Sequence, residues 1–189
     1  VEYALNLDKS FATVINGRNM ASVQETVYGK EFRVGYLLSY YLGRKVTSID
    51  DYAFYNYSGD VNVIVNNTIE KIGNYSFAKR QSNNVDYSII GFVGSISNGK
   101  FNYNTSIQAI GNYAFAYQYY FSIFNFSDLL NLKTIGDYAF ANAKIALVEI
   151  MPSVSYIGKF AFANSTIYNL KFYQGGSGLE IDDYAFYNA

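Results

Sequence analysis

Hydrophobic positions in this chain recur in a fixed order, not with a single helical or strand period. The order is clearest in the run Ile135-Gly136-Asp137-Tyr138-Ala139-Phe140: an aliphatic residue, a glycine, a short polar residue, an aromatic, a small residue and a phenylalanine. Near-copies open at Ile49, Ile72, Ile110, Ile157 and Ile181 and close at Phe54, Phe77, Phe115, Phe162 and Phe186. Successive closing phenylalanines lie 23, 38, 25, 22 and 24 residues apart. A period of about two dozen residues is that of a solenoid, in which each unit buries its apolar face only against its neighbours.

Each position in the signature carries a physical expectation. Glycine after the isoleucine predicts a sharp turn with positive φ, and Asp50 and Asp182, which stand there in two copies, tolerate such backbone better than most residues. The short polar residue that follows, Asp or Asn except at Lys159, predicts an N-cap for about one helical turn. The small residue and phenylalanine then point inward. Asn56, Asn142, Asn164 and Asn188, two residues past the phenylalanine, suit the left-handed conformation that ends such a turn.

Between signatures a second pattern predicts strands. Ile145, Val148 and Ile150 fall at apolar-x-x-apolar-x-apolar spacing after Phe140, and Ile167, Leu170 and Phe172 repeat it after Phe162. Phe121, Phe124 and Phe126 follow the same pattern one residue later. Backward offsets from the signatures give Leu37, Tyr40 and Leu42, then Val63 and Val65, then Phe101 and Tyr103. Val34 to Leu42 also reads alone as a short helix stopped by Gly43, but the offsets back from Ile49 favour a strand. A strand, a loop and a helical turn per unit, with inward apolar residues at fixed offsets, is the leucine-rich-repeat plan.

The run Ile150-Met151-Pro152-Ser153-Val154-Ser155-Tyr156-Ile157-Gly158-Lys159-Phe160-Ala161-Phe162 resembles the repeat of BspA-like leucine-rich-repeat proteins. The resemblance covers roughly residue 37 onward. It implies an α/β leucine-rich-repeat solenoid with short helical turns and a parallel β-sheet on one face. It also implies a surface-exposed or secreted protein, adhesion, and a protein or glycan ligand such as host extracellular-matrix molecules.

Residues 1–36 lie outside the pattern and read as a β-rich N-terminal cap, with strands at Tyr3 to Leu7 and Phe11 to Ile15; residues 37–189 are the repeats. The 38-residue gap holds an insertion of about residues 86–104. In it, Asn98-Gly99 predicts a tight hairpin turn between Gly91–Ser97 and Lys100–Asn104, the second strand supplying Phe101 and Tyr103 to the repeat. After Phe186 only Tyr187, Asn188 and Ala189 follow. The expectation is an end that further repeats, a cap or end-to-end self-association would cover.

Composition narrows the chemistry. Half of the 189 residues are hydrophobic and 15% are charged, enough apolar material for a large core. The net charge of −1 gives no reason to expect nucleic acid, and no apolar run reaches the roughly 20 residues of a membrane helix. The absence of His and Cys removes Ser-His and Cys-His catalysis and imidazole or thiolate metal sites, so neither cofactor nor metal is expected. Asp50-Asp51 and Asp182-Asp183 could form a cation or acid-base pair, but their place in the repeat favours capping. Gly175-Gly176-Ser177-Gly178 lacks the lysine of a phosphate loop and reads as a flexible turn. Asn-x-Ser/Thr triplets at Asn56, Asn66, Asn74, Asn104, Asn125 and Asn164 are glycosylation candidates that coincide in several copies with structural positions.

Candidate ligand-binding residues are those alternating with the inward ones, on the exposed strand face. They are Tyr41, Asn62, Ile64, Lys100, Asn102, Ile123, Asn125, Leu147, Glu149, Met151, Asn169, Lys171 and Tyr173. The mixture of aromatic, aliphatic and amide groups with single charges fits a non-catalytic binding module for a protein or glycan. A structural spacer or assembly repeat is the alternative, and would show no patch formed by Leu147, Met151 and Tyr173.

Overall fold

The isoleucine that opens each signature is itself a strand residue, and the architecture follows from stacking it. The computed structural model describes residues 48–53, 55–56, 69–80, 106–118, 126–176 and 178–189, and the strand backbone at 14–15, 40–41, 44–45, 61–64, 90–93, 95–97 and 100–102. Up to residue 110 the order is β1 (Val14–Ile15), β2 (Tyr40–Tyr41), β3 (Arg44–Lys45), β4 (Ser48–Ile49), β5 (Val61–Ile64), β6 (Lys71–Ile72), β7 (Ile90–Val93), β8 (Ser95–Ser97), β9 (Lys100–Asn102) and β10 (Ala109–Ile110). A 3-10 turn at Phe126–Asp128 precedes β11 (Thr134–Ile135), β12 (Lys144–Ile150), β13 (Tyr156–Ile157), β14 (Thr166–Phe172) and β15 (Glu180–Ile181).

Strands β1, β4, β6, β10, β11, β13 and β15 form one parallel seven-stranded ladder in that order. Ile49, Ile72, Ile110, Ile135, Ile157 and Ile181 lie opposite one another along it. Of the two strands expected before the repeats, the second is present at Val14–Ile15, where it extends this ladder in parallel with Ser48–Ile49, and Tyr3 to Leu7 lies outside the described residues. The chain is thus a parallel-strand solenoid of the leucine-rich-repeat type, one short strand per coil.

The helical turn expected after each isoleucine is instead a succession of tight turns. In the fourth signature Ala139, Ala141 and Ala143 donate to the carbonyls of Gly136, Tyr138 and Phe140, each three residues back. The aromatic residue adopts positive φ in every copy, at Tyr52, Tyr75, Tyr113, Tyr138, Phe160 and Tyr184. An L-residue pays about 1–2 kcal/mol for that conformation. What it gains is a partner on the next coil: the N–H groups of Tyr52, Tyr75, Tyr113 and Tyr138 each reach a neighbouring carbonyl at 2.9 Å. The asparagines expected to be left-handed are so, with φ of 54, 57, 53 and 52° at Asn56, Asn142, Asn164 and Asn188.

The signature glycines serve a different purpose from the one expected. Gly73, Gly111, Gly136 and Gly158 are not among the positive-φ residues; a Cβ at any of them would run into backbone atoms of the preceding coil at 2.6–2.8 Å. Glycine is there so that coils can approach. Nor does the following polar residue cap its own turn: Asp51, Asn74, Asn112 and Asp137 accept, through Oδ1, the N–H of Asn74, Asn112, Asp137 and Lys159 on the next coil, at 2.7–2.9 Å. Lys159 cannot accept in turn. There the carboxylate of Asp182, in the glycine position, takes the N–H of Asp183 at 2.7 Å, just as Asp50 takes that of Asp51 at 2.9 Å. The two departures, Lys159 and Asp182, therefore compensate each other.

Inside the coils the closing phenylalanines form a second stack. Phe77, Phe115, Phe140, Phe162 and Phe186 follow one another with ring centroids 4.9–5.3 Å apart and planes within 9°. They pack with the isoleucine ladder and with Ile145, Val148, Ile150 and Val154 in one core. Phe126 joins this core from the 3-10 turn, not from a strand; Phe121 and Phe124 lie outside the described residues. At the last coil Leu170, Phe172 and Ile181 are 42, 48 and 46% exposed, whereas their counterparts Val148, Ile150 and Ile157 are 0, 2 and 0%.

The long strands keep the predicted spacing. β12 and β14 pair in parallel with Ile145 opposite Ile167, Val148 opposite Leu170 and Ile150 opposite Phe172. Two expectations need correction. β5 pairs in parallel with β7, so Ile90–Val93, and not the segment with Phe101 and Tyr103, supplies that coil's strand. The hairpin exists, but between β8 and β9, with Ser97 opposite Lys100 across Asn98-Gly99. Tyr40–Tyr41 is a strand as predicted, yet it pairs antiparallel with Arg44–Lys45 and not with the next repeat. No helix among the described residues is long and apolar enough to cross a membrane.

Candidate functional site

Six of the candidate face residues are brought together by the β12–β14 pair. Leu147 stands opposite Asn169 and Glu149 opposite Lys171, and the ladder continues through Tyr173, whose N–H donates to the Ile150 carbonyl at 3.0 Å. Alternation places these side chains on the opposite side from Val148 and Ile150. Leu147 and Met151 are half-buried and flank Glu149 along one strand.

Glu149 organises this face. Its carboxylate is almost wholly covered, 6% exposed, and accepts the Tyr173 hydroxyl at 2.8 Å; the Lys171 ammonium lies 3.7 Å from the same oxygen. A charged group so covered requires such partners. Tyr173 itself stays 46% exposed, so the bond fixes an open ring in place. The hydrogen bond to Glu149, then burial, raises the Tyr173 pKa above its ordinary 10.0.

The sign of the resulting pH dependence follows. A raised value means that folding favours the neutral phenol, so its contribution is complete below pH 10.0 and is lost as pH rises through the elevated value. Tyr173→Phe is expected to remove that alkaline loss, which urea midpoints measured from neutral to alkaline pH would show; an identical pH profile for the variant would contradict the assignment.

The remaining candidates lie elsewhere. Asn62 and Ile64 are on β5, opposite Gly91 and Val93. Lys100 and Asn102 are on the antiparallel hairpin and Tyr41 is on the antiparallel pair β2–β3, so these three do not extend the parallel face. Ile123 and Asn125 lie outside the described residues. A contributor missed from the pattern is Tyr168, 62% exposed, with the Lys144 ammonium 5.7 Å from its ring centre. The signal was the double gap between Ile167 and Leu170, which leaves two outward residues where strict alternation allows one.

The paired acids are engaged in structure. Asp50 and Asp51 accept backbone N–H groups, and Asp182 accepts the Asp183 N–H and the Tyr156 hydroxyl, the first of these bonds doing most to hold its pKa below the ordinary carboxylate value. Among the described residues no group of three or more His, Cys, Asp or Glu could hold a metal ion. Of the glycosylation candidates, Asn56 accepts the Arg80 N–H and Asn164 accepts from Asn188, while Asn74 belongs to the ladder between coils.

Comparison with known proteins agrees with this geometry. Residues 25–110 and 108–189 match the family model of the BspA type leucine rich repeat region, in six copies. No curated protein sequence matches. Among solved structures the chain is similar to a leucine rich cell surface protein from Faecalibacterium prausnitzii A2-165, with a TM-score of 0.52 and 18% identity over 76% of this chain. The match spans 35% of that protein's length, and at this identity it speaks for the fold alone.

Proposed function

The chain belongs to the BspA-type leucine-rich-repeat family, and from that premise we propose that it is a non-catalytic binding module displayed at the cell surface or outside the cell. The ligand is a protein or glycan, held adhesin-like on the β12–β14 face. The observation that carries this reading is the Tyr173–Glu149–Lys171 cluster: a half-exposed ring and an ammonium fixed on one covered carboxylate, flanked by Leu147 and Met151. Fixing side chains before binding lowers the ordering cost of association, and aromatic anchors dominate contact energies. A surface location is in keeping with the solved protein of the same fold, which is described as a leucine rich cell surface protein.

The second reading, a spacer whose repeats only display another domain, is favoured by the regular ladder that runs through the coils. The two separate by experiment. Serine at Leu147, Met151 and Tyr173 together is expected to leave the coil core folded and to weaken capture of extracellular-matrix proteins or glycans by about tenfold or more. An immobilised wild-type domain that captures nothing from such a panel, or a triple variant that captures equally well, would favour the spacer.

A further inference from the structure

The signature turns carry a second surface, distinct from the strand face. Tyr52, Tyr75, Tyr113, Tyr138, Phe160 and Tyr184 stack in parallel, with ring centroids 4.6–5.2 Å apart. Because each inner ring is faced by a ring on both sides, the ladder offers its edges to whatever lies against it. Among the described residues, two use those edges. Tyr55 packs edge-to-face on Tyr52 and Tyr75 at 5.6 and 6.5 Å, and Tyr187 does the same on Tyr184 and Phe160 at 6.0 and 6.4 Å.

Tyr55 and Tyr187 occupy the position just after the closing phenylalanine, and in the four copies between them that position is Ala78, Ala116, Ala141 and Ala163. Where Ala78 and Ala116 stand, a groove of about 340 Å³ opens beside the ladder, walled by Tyr55, Tyr75, Tyr113 and Tyr117 with Lys79 and Arg80 also lining it. Its size falls in the range of small-ligand sites, about 300–1,000 Å³. No acidic side chain is among the described residues that line it. Burial, followed by the neighbouring phenols, raises the pKa of Tyr75 and Tyr113, so both keep their hydroxyl protons to donate.

We propose that this groove takes one aromatic side chain of a partner polypeptide whose flanking residues are acidic. The incoming ring would stand where Tyr55 stands one coil earlier, edge-to-face against Tyr75 and Tyr113, an arrangement aromatic pairs prefer. Arg80, exposed at the rim, complements a carboxylate beside the ring. A sugar fits this site less well, because pyranoses stack on ring faces and the ladder faces of Tyr75 and Tyr113 are turned to each other at 4.6 Å.

The test is a titration of the folded domain with the fluorescent peptide Asp-Glu-Tyr-Glu-Asp, blocked at both ends, against Asp-Glu-Ala-Glu-Asp and against chitotetraose. Saturable binding of the tyrosine peptide is expected, about tenfold tighter than that of the alanine peptide. Ala78→Tyr, which fills the groove with the chain's own ring, and Arg80→Glu are each expected to weaken it by about tenfold. If circular dichroism shows Ala78→Tyr misfolded, Arg80→Glu decides alone. The strand-face triple variant should bind the peptide as the wild type does, so that failure of the strand-face reading leaves this one standing. Absence of saturable peptide binding, equal binding of both peptides, indifference to Arg80→Glu, or binding of chitotetraose without the peptide would each overturn the proposal.

Discussion

Truncating Phe140 to alanine is expected to lower stability by about 3–5 kcal/mol, the cost of deleting a fully buried aromatic ring. Phe140 is 0% exposed and sits in mid-stack, 5.2 Å from the Phe115 ring and 5.1 Å from Phe162, with Phe126 tilted against it at 5.3 Å. Its removal therefore strips contacts from three rings at once. It also leaves a void that the neighbouring coils cannot close, because hydrogen bonds of 2.7 Å from Phe115 N–H to Ala139 O and from Phe140 N–H to Ala161 O hold their spacing. The same substitution at Phe186, stacked among the described residues on Phe162 alone and crossed by Phe172, should cost distinctly less. Urea midpoints at constant slope measure both. Equal shifts for the two, or a Phe140 shift no larger than that of a surface change, would show that the phenylalanine stack is not what holds the coils together.

The stack was readable because its residues recur at one place in a fixed order: Phe140 and its counterparts had to face inward whatever the local backbone did. The long strands were readable for the same reason, since Ile145, Val148 and Ile150 keep their offsets in Ile167, Leu170 and Phe172, and the structure pairs them one to one. What the pattern did not carry was the direction of hydrogen bonding. Asp137 after Gly136 resembles a cap, but its carboxylate reaches forward 22 residues to Lys159 N–H. Local spacing cannot reveal such a bond, because it joins equivalent positions of successive coils.

Register in the insertion was similarly hidden. Phe101 and Tyr103 lie at the right offset before Ile110, and only the pairing of Ile90–Val93 with Val61–Ile64 shows which segment continues the sheet. At the candidate face, the strands pair Leu147 with Asn169 and Glu149 with Lys171, but Glu149, expected to be exposed, is buried. Alternation gave no hint that Glu149 would be the covered centre and Tyr173 its hydrogen-bonded partner, because that depends on side-chain reach across two strands. The groove at Ala78 and Ala116 was legible in principle as two alanines where the end copies have tyrosine. Its meaning required knowing that the preceding aromatics stack face to face.

Gly136→Ala is expected to cost about 3 kcal/mol, the upper end of what overpacking a well-packed site costs. A Cβ there would collide with Asn112 Oδ1 and lie 2.8 Å from both Asn112 N and Gly111 C, atoms of backbone and of a side chain already fixed by its bond to Asp137 N–H. None of them can swing aside, so the coils must separate. Beside Asp182, which carries a Cβ in the same position, the opening is local: the bond from Phe160 N–H to Asp183 O stretches to 3.3 Å, against 2.9 Å for Tyr113 N–H to Asp137 O, while Phe162 N–H still reaches Ala185 O at 2.7 Å. At Gly136 the added atom would be imposed on a coil hydrogen-bonded to a neighbour on each side, through Tyr113 N–H to Asp137 O and Tyr138 N–H to Lys159 O. The control is Asp182→Ala, which keeps a Cβ and loses only the carboxylate that accepts the Asp183 N–H and the Tyr156 hydroxyl, so a smaller loss is expected. Denaturation of the two variants side by side decides the matter. If Gly136→Ala unfolds no more readily than Asp182→Ala, close approach of the coils is not what the glycine provides.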